Sequence, residues 1–441
     1  MADKTLLENN EILTVQDEDS FVGIYFNNGH FDIRFPIGYK QPDEIPAKED
    51  IIEYKQYEKQ KRKDILTLVK VLSANDAVLI ANQEANSSID NGNNFPFYAY
   101  NFVYKYYKKN GYYIPKEKRY KKSDSGKINW NRTIKQINPV VSDKNIVYLE
   151  TIRNKTNYND NELIAIINRY CVYQSYLKVG CLFSSKMVKE EKLKVSIRAC
   201  IKVLNRKIRE TFNSDELNLF RNMKKILETE NNDSTKNEYY FGTNSFHTIW
   251  EAMVNDFYGI PKFIRTKFNP TLGWRDAAGE KISGQNSTLR PDTIAFLDKD
   301  DIDKKIFILD SKYYKGSVNL DDGHLPLAES VPKQLVYAKW VINKLGHNSR
   351  DVFNAFIMPA DLTNSEKAIC KEKIKTEYYG FVKPNWLSDE EFKDINFPYN
   401  RIQGIKIDTK DLMENYNKKN SSDFNYLLKV IEDESLNLAK Y

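Results

Sequence analysis

Apolar residues follow a helical or an alternating spacing along most of this 441-residue chain, and the spacing changes from region to region. Two aromatic-rich runs within residues 21–39 flank Asn27-Asn28-Gly29. This arrangement predicts a β-hairpin, because Asn and Gly tolerate the positive φ angles of a tight turn. Residues 48–72 are charged and have the spacing of a helix. From about 160 to 229, apolar residues three and four positions apart predict further helices.

The second half of the chain alternates between strand and helix patterns. A polar, unpatterned segment at 229–238 predicts a linker, and the alternation continues after it to about residue 388. Within it, LRPDTIAFLDKDDIDKKIFILDSKYYKG (289–316) contains two apolar runs on either side of a charged turn. The stretch predicts a β-hairpin whose second strand, Ile306 to Leu309, is buried on both faces.

Helical patterns lie on both sides of this hairpin. Before it, TNSFHTIWEAMVNDFYG predicts an amphipathic helix with one apolar stripe. The stripe consists of Phe246, Ile249, Trp250, Met253 and Phe257. After the hairpin, VPKQLVYAKWVINKLG predicts another helix and DVFNAFIMP another apolar strand. The predicted order is helix, strand, strand, helix, strand.

Two carboxyl groups and one amine lie at the ends of the predicted hairpin strands. Side chains alternate along a strand, so Asp310 and Lys312 face one way and Ser311 faces the other. Asp292 begins the preceding strand, where pairing brings it beside Asp310. Converging carboxylates suit Mg²⁺, which binds few carboxylates together with water and phosphate, and the Ser311 carbonyl would add a ligand. The alternative is an ordinary solvent-facing strand end.

Such a metal site would support hydrolysis of a phosphodiester. The metal would polarise the phosphate and bind the attacking water. Lys312 would then orient or deprotonate that water, because the pKa of a lysine shifts readily with its surroundings.

Four further residues are candidates for the same site. Glu251 lies at the margin of the apolar stripe, where it would reach the sheet, or it is an ordinary exposed helix glutamate. Gln334 and Tyr337 share a helix face with Val341 and would cap the site, unless this is a core helix with a polar end. Arg290 would contact a phosphate, and the alternative is a loop arginine without that role.

The segment from residue 95 to 136 interleaves tyrosines with many lysines and arginines. Interleaved cations and aromatic rings grip phosphates and stack on bases, which predicts DNA contact through Lys118, Arg119, Lys121 and Lys122. Lysine-rich hairpin edges also occur because they prevent aggregation, and this alternative stays open.

Together these motifs resemble the PD-(D/E)xK nuclease superfamily and, more closely, LlaJI-type restriction endonucleases, the McrC-like nuclease partners of GTP-driven restriction systems. The resemblance covers roughly residues 95 to 440. It is carried by GKINWNRTI (126–134), FGTNSFHTIWE (241–251), RPDTIAF, ILDSKYY and KQLVYAKW. In the superfamily pattern the third acid is more often Glu, and here it is Asp310, which the pattern allows.

The resemblance implies a role for each matching residue. Glu251, Asp292 and Asp310 would form the acidic metal site, Lys312 would be the catalytic lysine, and Gln334 with Tyr337 the supporting pair. The implied cofactor is Mg²⁺, with Mn²⁺ as a substitute. The implied partners are double-stranded DNA and a separate McrB-like AAA+ GTPase. No G-x-x-x-x-G-K-[ST] motif occurs in the sequence, so this chain itself is expected to bind no nucleotide.

Length and composition set the expected organisation. At 441 residues and 41% hydrophobic content, the chain exceeds one ordinary core and is not disordered. We predict an α/β (α+β) protein of four parts. These are an N-terminal, mixed β-rich region for DNA or partner contact (1–150), a helical region (151–232), a PD-(D/E)xK nuclease domain (233–388) and its C-terminal extension (389–441).

Other features narrow the class of protein. The net charge of +6 is small, so any contact with nucleic acid depends on local patches. The four cysteines form no C-x-x-C pair, which disfavours a structural zinc site. The first residues contain no apolar signal segment and no window is long enough to cross a membrane, so we expect a soluble, cytoplasmic protein. Two alternatives to a restriction nuclease remain, a DNA-repair nuclease of the same fold and a non-catalytic DNA- or partner-binding adaptor.

Overall fold

The structure of the chain is a computed structural model that carries side chains. The residues it describes are 21–27, 30–41, 46–47, 49–75, 96–122, 126–142, 145–158, 162–184, 186–232, 238–297, 305–314, 326, 328–418 and 421–437.

Sixteen strands occur in these residues. In chain order they are β1 (Val22–Asn27), β2 (His30–Arg34), β3 (Lys116–Lys122), β4 (Lys127–Ile128), β5 (Val140–Ser142), β6 (Asn145–Val147), β7 (Ile152–Tyr158), β8 (Glu238–Thr243), β9 (Thr271–Arg275), β10 (Lys281–Thr288), β11 (Thr293–Phe296), β12 (Ile306–Ser311), β13 (Val352–Ala360), β14 (Ile369–Cys370), β15 (Lys375–Val382) and β16 (Ile402–Asp408).

The described α-helices range from four to 24 residues in length. They are α1 (Ile51–Ala74), α2 (Phe97–Asn110), α3 (Trp130–Gln136), α4 (Leu163–Lys178), α5 (Ile197–Glu210), α6 (Ser214–Asn232), α7 (Phe246–Tyr258), α8 (Lys262–Arg265), α9 (Ser330–Leu345), α10 (Asp389–Lys393), α11 (Thr409–Glu414) and α12 (Ser421–Leu436). The protein is therefore of the α+β class, as predicted. None of the described helices is long and apolar enough to cross a membrane.

The chain divides into two compact units, and one is inserted in the sequence of the other. The inserted unit consists mainly of residues 92–239. The host unit consists mainly of residues 31–91 and 240–441. This grouping differs from the four predicted parts, because residues 31–75 belong with the C-terminal half and the predicted helical region belongs with the basic segment before it.

The inserted unit combines helices with small sheets. Helix α2 packs against α4 and α6, and α6 also packs against α5. The helices predicted between residues 160 and 229 are confirmed as α4, α5 and α6. Strands β3, β7 and β4 form an antiparallel sheet in the order β3-β7-β4, and β5 pairs with β6.

Helix α2 lies in the region predicted to be β-rich. Phe97, Tyr100 and Tyr104 are three and four positions apart and are all buried on one helix face. The helical period therefore determined the local structure, and the β-preference of the tyrosines did not.

The host unit is built on a six-stranded mixed sheet with the order β11-β12-β13-β16-β15-β14. Strands β12, β13 and β16 are parallel, and β11 is antiparallel to β12. The predicted hairpin of β11 and β12 is confirmed, with Thr293 paired to Leu309. Residues Ile306 to Leu309 are fully buried, as the apolar run predicted.

Strand β16 is central in this sheet, although we predicted residues 389–441 as a C-terminal extension. Every residue of β16 is buried, and the strand is paired on one side with β13 and on the other with β15. A strand buried on both faces is part of the core of its unit. The last 50 or so residues are thus integral to the host unit.

The two predicted flanking helices are confirmed as α7 and α9. All five residues of the predicted apolar stripe on α7 are buried, and α7 packs against β11 and β12. Helix α9 places Tyr337, Ala338 and Val341 in one hydrophobic cluster with residues of β11 and β12, including Ile294 and Ile308.

A second hairpin, of β9 and β10, lies between α7 and β11 and was not predicted. Its strands are antiparallel, and every residue of β9 is exposed, Trp274 by 65%. The turn contains Asp276, whose Oδ1 accepts hydrogen bonds from the backbone N–H groups of Ala278 and Glu280. The Asp and Gly279 (φ +84°) are the sequence signals that would have identified this turn.

The N-terminal part of the host unit is tied to strands far away in the sequence. The two strands of the predicted hairpin are confirmed as β1 and β2, which are neighbours in a sheet with β8. The predicted turn at Asn28-Gly29 lies outside the described residues. After β2, the backbone N–H of Ile37 donates to the Tyr313 hydroxyl at 3.0 Å. The Thr409 hydroxyl donates to the Ile37 carbonyl at 2.9 Å. Gly38 directly follows Ile37, and its φ of +72° favours glycine.

Replacing Gly38 with alanine is expected to destabilise the host unit by about 2–4 kcal/mol. A Cβ at residue 38 would lie 2.6 Å from the Ala360 carbonyl carbon and 2.7 Å from the Thr409 hydroxyl, in addition to the strain of a positive φ. Urea unfolding measures the loss. The control is Gly346→Ala, with φ +76° and no atom within 4 Å of the added Cβ, which isolates backbone strain. Equal losses in the two variants would show that close packing at Gly38 contributes nothing.

Candidate active site

Asp292 and Asp310 face each other at the edge of the sheet. Thr293 pairs with Leu309, so Asp292 precedes β11 at the point where Asp310 follows on the paired strand. The Asp292 Oδ2 accepts a hydrogen bond from the Ser311 backbone N–H at 2.9 Å. Burial, followed by the charge and hydrogen bond of Asp310, raises the pKa of Asp292 to about 8. The predicted convergence of these two carboxyl groups is confirmed.

Lys312 lies just beyond β12, on the side of the strand that Asp310 occupies. Its Nζ is 2.7 Å from the Asp310 Oδ2, and both side chains are largely buried, with exposures of 18% and 14%. Burial alone would lower the pKa of Lys312, but the carboxylates of Asp310 and Asp292 outweigh burial and raise it. The lysine is therefore charged at neutral pH, which favours orienting a water over accepting a proton from it.

Glu251 reaches this group from helix α7. The neighbouring Trp250 is fully buried, and its Nε1 donates to the Ile357 carbonyl of β13 at 3.5 Å. The Lys312 backbone N–H donates to the same carbonyl at 2.8 Å. The Ile357 carbonyl thus accepts hydrogen bonds from both α7 and Lys312. Burial, and then the charge of Asp310, raise the pKa of Glu251. The Glu251 carboxyl group is therefore close enough to Asp310 for the two to interact electrostatically.

Helix α9 contributes Tyr337 and Gln334. The Tyr337 hydroxyl donates to the Arg290 carbonyl at 3.0 Å. Burial, and then the charges of Asp292 and Asp310, raise the pKa of Tyr337 to about 12. Gln334, one turn earlier on the same face, is fully buried. Within the described part of the chain, neither polar atom of its side-chain amide has a hydrogen-bond partner.

The donor set suits a hard cation, although it is not a preformed cage. Three carboxyl groups with two raised pKa values repel one another, and a cation between them would relieve that repulsion. Oxygen ligands in this small number are those of Mg²⁺. Among the described residues, however, no group of three or more His, Cys, Asp or Glu side chains already has the arrangement of a metal centre.

A cleft of about 540 Å³ opens beside the acidic group. Its lining includes Glu251 and Asp292 together with three cationic side chains, Lys262, Arg265 and Arg290. Arg290, predicted to contact a phosphate, is exposed at this cleft. Cationic side chains can bind a phosphodiester, and the neighbouring carboxylates can bind a divalent cation, so the cleft offers groups for both.

Two residues of the cleft, Arg265 and Asn255, were not predicted from the sequence. The Arg265 guanidinium donates to the Asn255 Oδ1 and to the Asp292 carbonyl, each at 2.6 Å. The two partners are ten and 27 positions away in the sequence. No local pattern connects residues at these separations, so sequence periodicity gave no signal for this contact.

The basic segment of the inserted unit is described only in part. Lys118, Arg119, Lys121 and Lys122 all lie on β3, but the side chains of Lys118 and Arg119 are outside the described part of the structure. Lys121 is exposed, and Lys122 forms an exposed ion pair with Glu150. The predicted DNA contact through this segment therefore stays a prediction. Of its four cationic residues, Lys122 is already paired with an acidic side chain, that of Glu150.

Comparisons with known proteins agree with the resemblance drawn from the motifs. The chain is 26% identical over 271 residues to a protein of Bacillus subtilis (strain 168) described as "Type II restriction enzyme BsuMI component YdjA". The match covers 58% of this chain, and the chain spans 57% of the length of that relative.

A structural comparison matches a chain of the half-complex from a tetradecameric assembly of Thermococcus gammatolerans McrB AAA+ hexamers with bound McrC. The TM-score is 0.33 and the identity 12%, over 93% of this chain and 82% of that chain. The sequence model of the LlaJI restriction endonuclease family matches residues 26–378, a range that includes Glu251, Asp292, Asp310 and Lys312. The match begins before the expected residue 95 and ends before the expected residue 440. The chain therefore belongs to the LlaJI restriction endonuclease family.

Proposed function

We propose that this protein is the DNA-cleaving subunit of a restriction system and hydrolyses phosphodiester bonds with Mg²⁺ at the site on β11 and β12, within a PD-(D/E)xK core. The observation that carries the proposal is the convergence of Asp292, Asp310 and Lys312 at one sheet edge, with the Lys312 Nζ 2.7 Å from Asp310. Membership of the LlaJI family supports the same activity.

Each side chain has a distinct role in this proposal. Asp292 and Asp310, with Glu251 from α7, hold the cation, and the Ser311 carbonyl is a further candidate ligand. The bound cation supplies a Lewis acid for the phosphate and lowers the pKa of the attacking water. Lys312 orients that water and offsets negative charge on the phosphate. The water oxygen forms a bond to phosphorus and loses one proton to solvent. The bond from phosphorus to the leaving oxygen breaks, and the leaving oxygen takes up one proton from solvent.

The supporting residues fix this geometry. Tyr337 holds the Arg290 carbonyl and so restrains the loop that carries Asp292. Gln334, buried with an unsatisfied amide, has hydrogen-bonding capacity available for a ligand or an ordered water near the site. Arg290 and Lys262, which line the cleft, are placed to contact DNA phosphates.

A separate AAA+ GTPase is the partner we propose for this chain. The 441 residues contain no G-x-x-x-x-G-K-[ST] motif, so nucleotide-driven translocation would need another subunit. Dependence on such a partner would distinguish a restriction nuclease from the alternative, a repair nuclease of the same fold.

A cleavage assay tests the proposed function. Supercoiled plasmid is incubated with the purified protein, with and without Mg²⁺, and with and without a candidate AAA+ GTPase together with GTP. Metal-dependent nicking or linearisation is the expected result. DNA binding with no cleavage under any of these conditions would favour the non-catalytic adaptor instead.

Glu251→Gln is expected to raise the Mg²⁺ concentration for half-maximal cleavage by about tenfold or more, because one acidic ligand becomes neutral. A titration of cleavage rate against Mg²⁺ measures the shift. Glu390→Gln, at an exposed glutamate of α10, is the matched control. An unchanged Mg²⁺ curve for Glu251→Gln would make Glu251 an ordinary helix glutamate.

A further inference from the structure

The loop before β11 carries Asp292 and is held at the Arg290 carbonyl by the Tyr337 hydroxyl. From Thr293 onward the backbone is paired with β12. Before it, Arg290 is exposed and Asp292 lies outside the strand. The Asp292 carboxylate is fixed at one oxygen by the Ser311 N–H. Its orientation therefore also depends on what holds the Asp292 backbone.

Arg265 supplies that restraint. Its guanidinium is half-buried and donates to the Asp292 carbonyl at 2.6 Å. The same nitrogen donates to the Asn255 Oδ1 of α7 at 2.6 Å. Asn255 lies one turn after Glu251 on that helix, so Arg265 connects the elements that carry two of the three acids.

We propose that Arg265 is a positioning residue for metal binding, which holds the Asp292 backbone so that its carboxylate meets those of Glu251 and Asp310. The inference rests on the proposed function and extends it to a residue outside the D-x-K pattern. A planar guanidinium suits this task, because two acceptors in different directions can be held by one rigid group.

A purely structural role is the competing explanation. Helix α8 has only four residues and cannot be stable alone, so Arg265 also serves to attach it to α7. The two roles differ in which contact matters. Attachment of α8 depends on the Asn255 contact as much as on the Asp292 contact, whereas positioning of the acid depends on the Asp292 carbonyl.

The test measures Mn²⁺ binding by electron paramagnetic resonance and DNA cleavage by the full-length protein with its partner. Arg265→Met should weaken Mn²⁺ binding by about 10- to 100-fold and lower kcat, with little change in the KM for DNA. Arg265→Lys, which retains a donor for the carbonyl, should recover binding to within about tenfold of the unaltered protein. Asn255→Ala should lower the melting temperature but weaken Mn²⁺ binding by less than Arg265→Met.

Arg350 provides the matched control. Its guanidinium donates to the Asn396 Oδ1 at 2.6 Å, the same chemistry as the Arg265 to Asn255 contact. It precedes β13 at the opposite end of the parallel strands from Asp310. Arg350→Met should leave Mn²⁺ binding unchanged. Should Arg265→Met fail to fold, Arg265→Gln, which is too short to reach both acceptors, takes its place with the same thresholds.

The outcomes separate the two proposals. If the unaltered protein binds Mn²⁺ and cleaves DNA, and Arg265→Met binds Mn²⁺ as well as it does or as well as Asn255→Ala, the positioning role is overturned and the proposed function stands. If the unaltered protein neither binds Mn²⁺ nor cleaves, the proposed function fails, and the role of Arg265 fails with it.

Discussion

Lys312→Met is expected to lower the rate of DNA cleavage by about 10²- to 10⁴-fold while the protein stays folded. The change removes the cation beside Asp310 and leaves a side chain of similar length. The melting temperature should fall, because both side chains are largely buried and removing one partner of a buried ion pair costs about 3–5 kcal/mol. Single-turnover cleavage measures the loss of rate, and circular dichroism measures the fold.

Lys305→Met is the control for this substitution. Lys305 precedes the same strand, at its other end, and is also ion-paired, with Glu432 of α12. Its replacement should leave the cleavage rate within about twofold. Asp310→Asn should resemble Lys312→Met, and the double variant should be no slower than the slower single one, because residues that act as a unit are not additive. A fully active Lys312→Met protein would remove this lysine from the site.

Without divalent cations, the free energy of unfolding is expected to fall as pH rises from about 4 to about 8, in part because of Asp292. Its folded-state pKa is raised, first by burial and then by Asp310, to about 8. A carboxyl group whose pKa is higher in the folded state stabilises the fold while it is protonated. That contribution is complete below its ordinary pKa of 3.8 and is lost as pH rises through 8.

Asp292→Asn should therefore be more stable than the unaltered protein at pH 8 in EDTA, by about 1–3 kcal/mol, and should equal it near pH 4. Adding Mg²⁺ should stabilise the unaltered protein more at pH 8 than at pH 5, because the cation favours the ionised carboxylates. Urea unfolding at several pH values, with and without Mg²⁺, measures both effects.

Asp411→Asn distinguishes Asp292 from other buried acids. Burial, and then the charge of Asp408, raise the pKa of Asp411 to about 6, so its pH dependence ends about two units lower than that of Asp292. The Asp411 variant should keep the loss of stability between pH 6 and 8. Should Asp292→Asn show the same loss in that range as the unaltered protein, the Asp292 carboxyl is ionised throughout it and the expectation is wrong.

The acidic hairpin was predictable because its signals are local. Alternation along β12 placed Asp310 and Lys312 on one face, and the length of the two apolar runs brought Asp292 opposite Asp310. The stripe on α7 likewise predicted the position of Glu251 at its margin. Strand and helix periods of two and 3.6 residues show which side chains share a face. This can be read from the local sequence without reference to the rest of the chain.

Contacts between distant segments could not be predicted in the same way. The place of β16 between β13 and β15 depends on pairing across about 40 residues of chain, and periodicity does not encode strand order. The Arg265 contact depends on three separate elements. In α2, the sequence did contain the helical period, although the segment was included in the predicted mixed β-rich region.

The inserted position of residues 92–239 has a consequence for synthesis of the protein. Most of this unit is one continuous stretch, so that stretch can begin to fold soon after it leaves the ribosome. The host unit cannot, because Ile37 must wait for Tyr313 and Thr409, 276 and 372 positions later. At a synthesis rate of about 5–20 residues per second, Thr409 leaves the ribosome about 20 seconds or longer after Ile37, so the host unit stays incomplete for that time. Translation speed and chaperone supply should therefore control the yield of active protein in cells more strongly than the equilibrium stability of either unit.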